Sequence, residues 1–133
     1  MSRENVEAFR ELLDAVSRQD LARLTELTHP DVHWRSFFAA LLAKGEYHGH
    51  DGLREYVADI SESWDSLRPE VEDVLDAGDV IVGIGRVEYR GKESGVESTA
   101  AAGWMVKFRD GKVIVFRAFN DPGAAFEAVG LGG

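Results

Sequence analysis

The sequence contains no cysteine, so disulfides, thiolate metal sites and cysteine nucleophiles are excluded. Basic residues are outnumbered, 15 Lys and Arg against 24 Asp and Glu, for a formal net charge of −9. Nucleic-acid binding needs a basic face to neutralise phosphates, and this balance argues against one. It favours solubility and weak affinity for anionic surfaces, membranes included. No stretch is long and apolar enough to span a bilayer. The opening residues, Met1-Ser2-Arg3-Glu4-Asn5, lack the apolar core of a signal peptide, so a cytoplasmic protein is expected. Internal repeats, linkers and low-complexity segments are missing. So are a Gly-rich phosphate loop and a Gly-x-Ser-x-Gly nucleophile motif.

What remains is 133 residues, 44% apolar and 29% charged. That is ordinary for one globular domain, expected to span residues 1–133. Such a chain buries roughly two thirds of the surface its unfolded form exposes.

Val6, Phe9, Leu12, Leu13 and Val16 recur at helical spacing and predict a helix over residues 3–17. Asp20 caps a second helix bearing Leu21, Leu24 and Leu27, ended by His29-Pro30-Asp31. A short strand is predicted over 32–35, and Tyr47 lies on another extended piece. The turn Gly49-His50-Asp51-Gly52 leads into a third helix with the stripe Leu53, Tyr56, Val57, Ile60, Trp64. The period then changes to two. Strands are predicted over 68–76, 80–90, 98–109 and 112–120, the last two joined by Asp110-Gly111, a strong hairpin signal. Asp121-Pro122 starts a final helix that Gly130 ends.

The order α-α-β-β-α-β-β-β-β-α predicts an α+β fold with three N-terminal helices against a curved, mostly antiparallel sheet. One alternating face is read as Val82, Ile84, Arg86, Glu88, then Ala100, Ala102, Trp104, Val106, then Ile114, Phe116, Ala118, Asn120. The other is rich in glycine and alanine, and predicts a homodimer through the sheet.

Several stretches carry a family resemblance: Asp20 to Leu24, Asp31-Val32-His33-Trp34, Tyr47 to Arg54, Asp79-Val80, Arg109 to Val113, and Asp121 to Leu131. The chain resembles the SnoaL-like branch of the nuclear transport factor-like superfamily, over nearly its whole length. The resemblance implies a cone-shaped, mixed sheet wrapped around the helices with a small-molecule pocket between them. It is weak for activity, because one fold hosts many functions. Limonene epoxide hydrolases are similar in an Arg-x-Asp on a middle strand and an Asp on the last. Here Arg86 and Glu88 match the first pair, and Ala118 the second Asp. SnoaL-type polyketide cyclases imply a polar pair where Trp104 and Ala118 stand. Ketosteroid isomerases imply a Tyr and an Asp where Leu12 and Ser36 stand. Each pattern lacks at least one partner.

Arg86 and Glu88, two apart, share a strand face. Facing a pocket, Arg86 would hold Glu88 ionised as a base; the other reading is an exposed cross-strand ion pair. Trp34, Tyr47, Tyr56, Trp104, Phe116 and Ala118 are candidate pocket-lining residues, with Trp104 filling the space that Ala118 returns. Asn120 could orient a ligand carbonyl or close a turn. His48, His50 and Asp121 are candidates at the pocket mouth. Asp121 also reads as an N-cap, and His48 with His50 as a polar turn that lacks a third ligand for Zn²⁺. No metal or cofactor is expected. The apolar run 37–43 reads as a lid, as core packing or as a dimer contact. The expected partner is a small apolar molecule. Isomerisation, cyclisation or hydrolysis of a polyketide-, terpene- or steroid-like substrate is one reading. The alternative is a non-catalytic ligand-binding or dimerisation domain with a degenerate pocket.

Overall fold

The computed structural model describes residues 2–38 and 45–128. Its elements are α1 (Ser2–Arg18), α2 (Leu21–Leu27), β1 (Thr28–Arg35), β2 (Glu46–His48), α3 (Gly49–Ser63), β3 (Trp64–Asp76), β4 (Val80–Gly91), β5 (Glu97–Arg109), β6 (Lys112–Phe119) and α4 (Pro122–Ala128). The strands form one open sheet in the order β2-β1-β6-β5-β4-β3. β1 and β6 run parallel, and the other neighbours antiparallel. This is the α+β fold expected from the pattern, with the mixed, cone-shaped sheet that the resemblance implies.

Helix α1 forms because its apolar residues fall on one stripe: Phe9, Leu12, Leu13, Ala15 and Val16 are all buried. It ends where Gln19 takes a positive φ of 54°. Gln19 N–H donates to Val16 O at 3.1 Å and Asp20 N–H to Ala15 O at 2.9 Å, which satisfies two of the last four carbonyls of the helix. Asp20 then caps α2, accepting from Arg23 N–H at 3.1 Å. The Asp110-Gly111 hairpin is as expected, with φ of 54° and 78° at its two central residues.

Three boundaries differ from the sequence reading. β1 begins at Thr28, so His29-Pro30-Asp31 lie within a strand rather than before it. β1 pairs with β6 at Thr28 and again at His33, with a register shift between. Pro30 sits in that unpaired stretch, where its missing N–H costs no ladder bond. α3 begins at Gly49, which turns the chain with a φ of 71°; a Cβ there would lie 3.1 Å from Pro30 O. Trp64 closes no helix; its backbone is extended and it opens β3 opposite Gly91. A bulky aromatic satisfies both periods, so the stripe ran one turn too far. In the 37–43 run, Phe37 and Phe38 form a turn; residues 39–43 lie outside the described residues, as does Gly130.

The sheet has an inner face toward α1–α3 and an outer face that carries α4. The pairs Ile81–Val106, Gly83–Trp104 and Gly85–Ala102 fix the phase of β4 against β5. Trp104–Ala118 and Val106–Phe116 carry it to β6, and Phe116–Trp34 to β1. The inner face therefore bears Ile81, Val87, Ala102, Trp104, Phe116, Ala118 and Trp34, all buried. Arg86 and Glu88 lie on the outer face, a correction to the grouping read from sequence. Alternation within a strand is fixed, but the phase between strands depends on the connecting loop. On the outer face α4 rests on Gly103, where a Cβ would lie 3.0 Å from Ala125 Cβ and Pro122 Cα. The helix thus covers part of the small-residue face.

Candidate aromatic interior

The centre of the inner wall is Trp34, supplied by β1 and 1% exposed. Its indole stacks on Phe116 of β6, centroids 3.9 Å apart and planes at 12°. Tyr56 of α3 leans on it at 5.2 Å. Tyr47 of β2, cross-strand neighbour of Trp34, meets Tyr56 edge-on at 5.5 Å. The Tyr47 hydroxyl donates to Asp59 Oδ2 at 2.7 Å. Asp59 lies three residues after Tyr56, so both project from neighbouring positions of α3. Asp59 was not singled out from sequence, though that i,i+3 spacing was its signal.

Burial pushes the phenols of Tyr47 and Tyr56 well above the ordinary tyrosine value. For Tyr47 the bond to Asp59 adds to the shift, because ionised phenol and carboxylate would repel. For Tyr56 the nearby Trp34 indole opposes it slightly. The indole N–H nevertheless reaches no acceptor in hydrogen-bond geometry among the described residues: Trp34 Nε1 is buried without a partner there.

A second aromatic group closes the other side. Phe38 stacks on Trp64 at 4.4 Å, and Tyr89 meets both rings edge-on at 5.4 Å. Trp64 Nε1 is likewise buried and has no partner among the described residues. On the sheet between them Trp104 pairs directly with Ala118, as the exchange of large and small predicts, and Phe9 of α1 meets Trp104 edge-on at 6.3 Å. Leu12 is buried against this wall. Ser36 is buried too, its hydroxyl accepting from Phe38 N–H at 3.1 Å to close the turn.

Other candidates stand elsewhere. Arg86 bridges Glu72 at 2.7 Å and Glu88 at 3.3 Å, and also pairs with Glu70; Arg68 reaches Glu88 at 2.7 Å. The bonds from Arg86 hold the Glu88 carboxyl below the usual range, which weakens it as a base. His50 and His48 do not share a face. His50 sits in the first turn of α3, its Nε2–H donating to Thr28 O at 3.1 Å, while His48 stacks on His33 at 4.5 Å. Among the described residues no three His, Asp or Glu side chains group as metal ligands. Asp121 Oδ1 accepts from Gly123 N–H at 3.0 Å, and Asp121 O from Ala124 N–H at 3.0 Å, so it caps the start of α4. Asn120 lies just past β6 and is exposed.

Solved structures share this architecture. An NTF2-like protein of unknown function from Burkholderia pseudomallei is 21% identical, covers 96% of this chain and 98% of its own, and has a TM-score of 0.78. TerC, co-crystallised with polyporic acid, is 24% identical over 93% of this chain and 96% of its own, TM-score 0.77. A protein of ketosteroid isomerase-like fold from Catenulispora acidiphila, in complex with trimethylamine, is 11% identical over 84% and 83%, TM-score 0.74. At these identities the likeness is one of fold. Among curated proteins none matches the chain. The match to the SnoaL-like domain runs over residues 9–116, from Phe9 against the inner wall to Phe116 beneath Trp34, and the chain belongs to that family.

Proposed function

We propose that this protein holds a small apolar molecule bearing an oxygen acceptor against the aromatic wall of β1, β6 and α3. The observation that carries the reading is the pair of buried, unpaired indole donors, Trp34 Nε1 and Trp64 Nε1. A buried donor left unpaired costs on the order of 1–3 kcal/mol. A carbonyl or ether oxygen beside it recovers that cost, while the rings of Trp34, Tyr56 and Phe116 take up flat apolar surface. Polyketide-, terpene- and steroid-like molecules combine those two features. The polyporic acid co-crystallised with TerC supports the idea that this fold accommodates such a guest.

Binding without turnover is the form the residues favour. Leu12, Ser36, Trp104 and Ala118 occupy positions where similar enzymes carry acids and bases. Isomerase, cyclase or hydrolase action is the second reading, and the Tyr47–Asp59 bond is what favours it. A carboxylate held by a phenol at the edge of the wall could act as base, with the phenol as donor to a developing oxyanion. The reading is completed by a cytoplasmic location and by a homodimer through the part of the outer face beside α4, where Thr99 and Ala101 are exposed.

The test is a thermal-shift and tryptophan-fluorescence titration with a quinone, a macrolactone, a steroid ketone and the parent hydrocarbon of each. The oxygenated compounds stabilise the protein and the hydrocarbons do not. Trp34→Phe stays within about 1 kcal/mol of the parent, since losing an unpaired donor offsets lost ring contacts, yet binds at least tenfold more weakly. Equal responses to ketone and hydrocarbon, or no response to any, would sink the reading. Product analysis by mass spectrometry, with Asp59→Asn as the inactive partner, separates turnover from binding.

A further inference from the structure

We propose that the outer face of β2, β1 and β6 carries a second binding site, for a small planar carboxylate. A groove of about 300 Å³ lies there, lined by His33, Arg35, Glu46, His48, Val115 and Arg117. Two cross-strand rows build it. His48, His33 and Val115 form one, and Glu46, Arg35 and Arg117 the other.

The first row is weakly polar. The imidazoles of His33 and His48 stack with centroids 4.5 Å apart and planes at 17°, and Val115 extends that surface. The second row carries the charge. Arg35 is taken by Glu46, Nη1 to Oε2 at 3.2 Å. Arg117 is not taken. Its guanidinium lies over the Phe119 ring, 5.3 Å from the centroid, which orients it without neutralising it. Among the described residues it has no carboxylate partner. Arg10 and Arg109 also lack one, but both are exposed to water, whereas Arg117 is half-buried.

A half-buried guanidinium without a carboxylate partner is open to a planar anion, and a carboxylate is its bidentate match. An unsaturated ring attached to that carboxylate would lie over Val115, against the outward edges of the stacked imidazoles. The volume suits a ligand of one or two rings. Trp34, Tyr47 and Phe116 also border the groove, but all three are buried, and the contact that distinguishes this site is Arg117, which the function proposed above does not use.

The probe is 2-naphthoate, titrated into the intact protein by calorimetry and by amide and imidazole chemical shifts. Controls are 2-naphthalenemethanol, which keeps the ring, and acetate, which keeps the charge. Naphthoate binds at least tenfold more tightly than either, and the shifts centre on His33, His48, Val115 and Arg117. Arg117→Gln weakens naphthoate at least tenfold, Arg117→Lys less, and Arg109→Gln by under twofold. The proposal is overturned if alcohol and carboxylate bind alike, if Arg117→Gln matches Arg109→Gln, or if the shifts centre on α3. It is also overturned if the protein sediments as a dimer that Arg117→Gln dissociates and naphthoate does not bind.

Discussion

Replacing Gly85 by alanine tests the mechanism that curves the sheet. β3 slips register against β4 between Val71 and Asp73, and the extra residue throws its backbone across the inner side of Gly85. A Cβ on Gly85 would lie 2.0 Å from Glu70 O and 3.0 Å from Glu72 N, whereas ordinary contacts begin at 3.4 Å. The obstacle is main chain on both counts, so no rotamer relieves it. The bulge must retreat by more than an ångström and give up ladder hydrogen bonds. Overpacking of this kind costs about 1–3 kcal/mol, and each lost bond adds about 1. Gly85→Ala should therefore cost about 3 kcal/mol or more, a large share of the ~5–15 kcal/mol that holds a domain together. Gly83→Ala is the comparison. There the obstacle is the tip of the Phe9 ring, 2.7 and 2.8 Å away, which is a side chain. Gly83→Ala should cost about 1–3 kcal/mol and be relieved by adding Phe9→Leu, whereas no partner substitution rescues Gly85→Ala. Urea unfolding at neutral pH, followed by tryptophan fluorescence and far-UV circular dichroism, gives each value. A Gly85→Ala protein within about 1 kcal/mol of the parent would refute the account of the bulge.

Raised phenol pKa values make stability fall on the alkaline side. Tyr47 and Tyr56 keep their protons when folded and release them near pH 10 when unfolded, so stability is intact below about 10 and declines above it. The slope approaches about 1.4 kcal/mol per pH unit for each group, and Tyr47→Phe should halve it in unfolding curves between about pH 10 and 11.5; an unchanged slope speaks against the assignment. On the acid side the sign reverses. The lowered Glu88 carboxyl stabilises the fold above the ordinary glutamate value, and that contribution is lost as pH falls through its folded value. Arg86→Met should move the acid-side decline to higher pH, and 1 M salt should shrink the difference, as acid titration of the unfolding midpoint would record. Asp121→Ala removes the acceptor for Gly123 N–H and should lower stability by about 1 kcal/mol, with faster amide exchange confined to α4.

What the sequence made legible follows from which interactions are local. The α3 stripe from Leu53 to Ile60, the Asp110-Gly111 turn and the Asp121-Pro122 helix start are set by neighbours within four residues, and each is where its pattern put it, Trp64 at the end of the stripe excepted. Tyr56 and Phe116 could be named as wall residues because each sits on a periodic run, and Trp104 opposite Ala118 because that hairpin is short and its phase is countable. Arg86 and Glu88 could not be placed in the same way. Their i,i+2 spacing guarantees a shared face but not which face, and the five-residue connection from Gly91 to Glu97 hides the phase of β4 against β5. One step of phase exchanges the two sides of a strand, so of the two readings open to the pair, pocket residues or a cross-strand ion pair, the structure has them on the outer face in ion pairs with Glu70, Glu72 and Arg68. The same step decides Arg117. It shares β6 with Phe116, yet one points outward beside Arg35 and the other inward beneath Trp34. Chemistry-bearing residues on strands can thus be paired from sequence, but assigning them to one site or another waits on the register of the whole sheet.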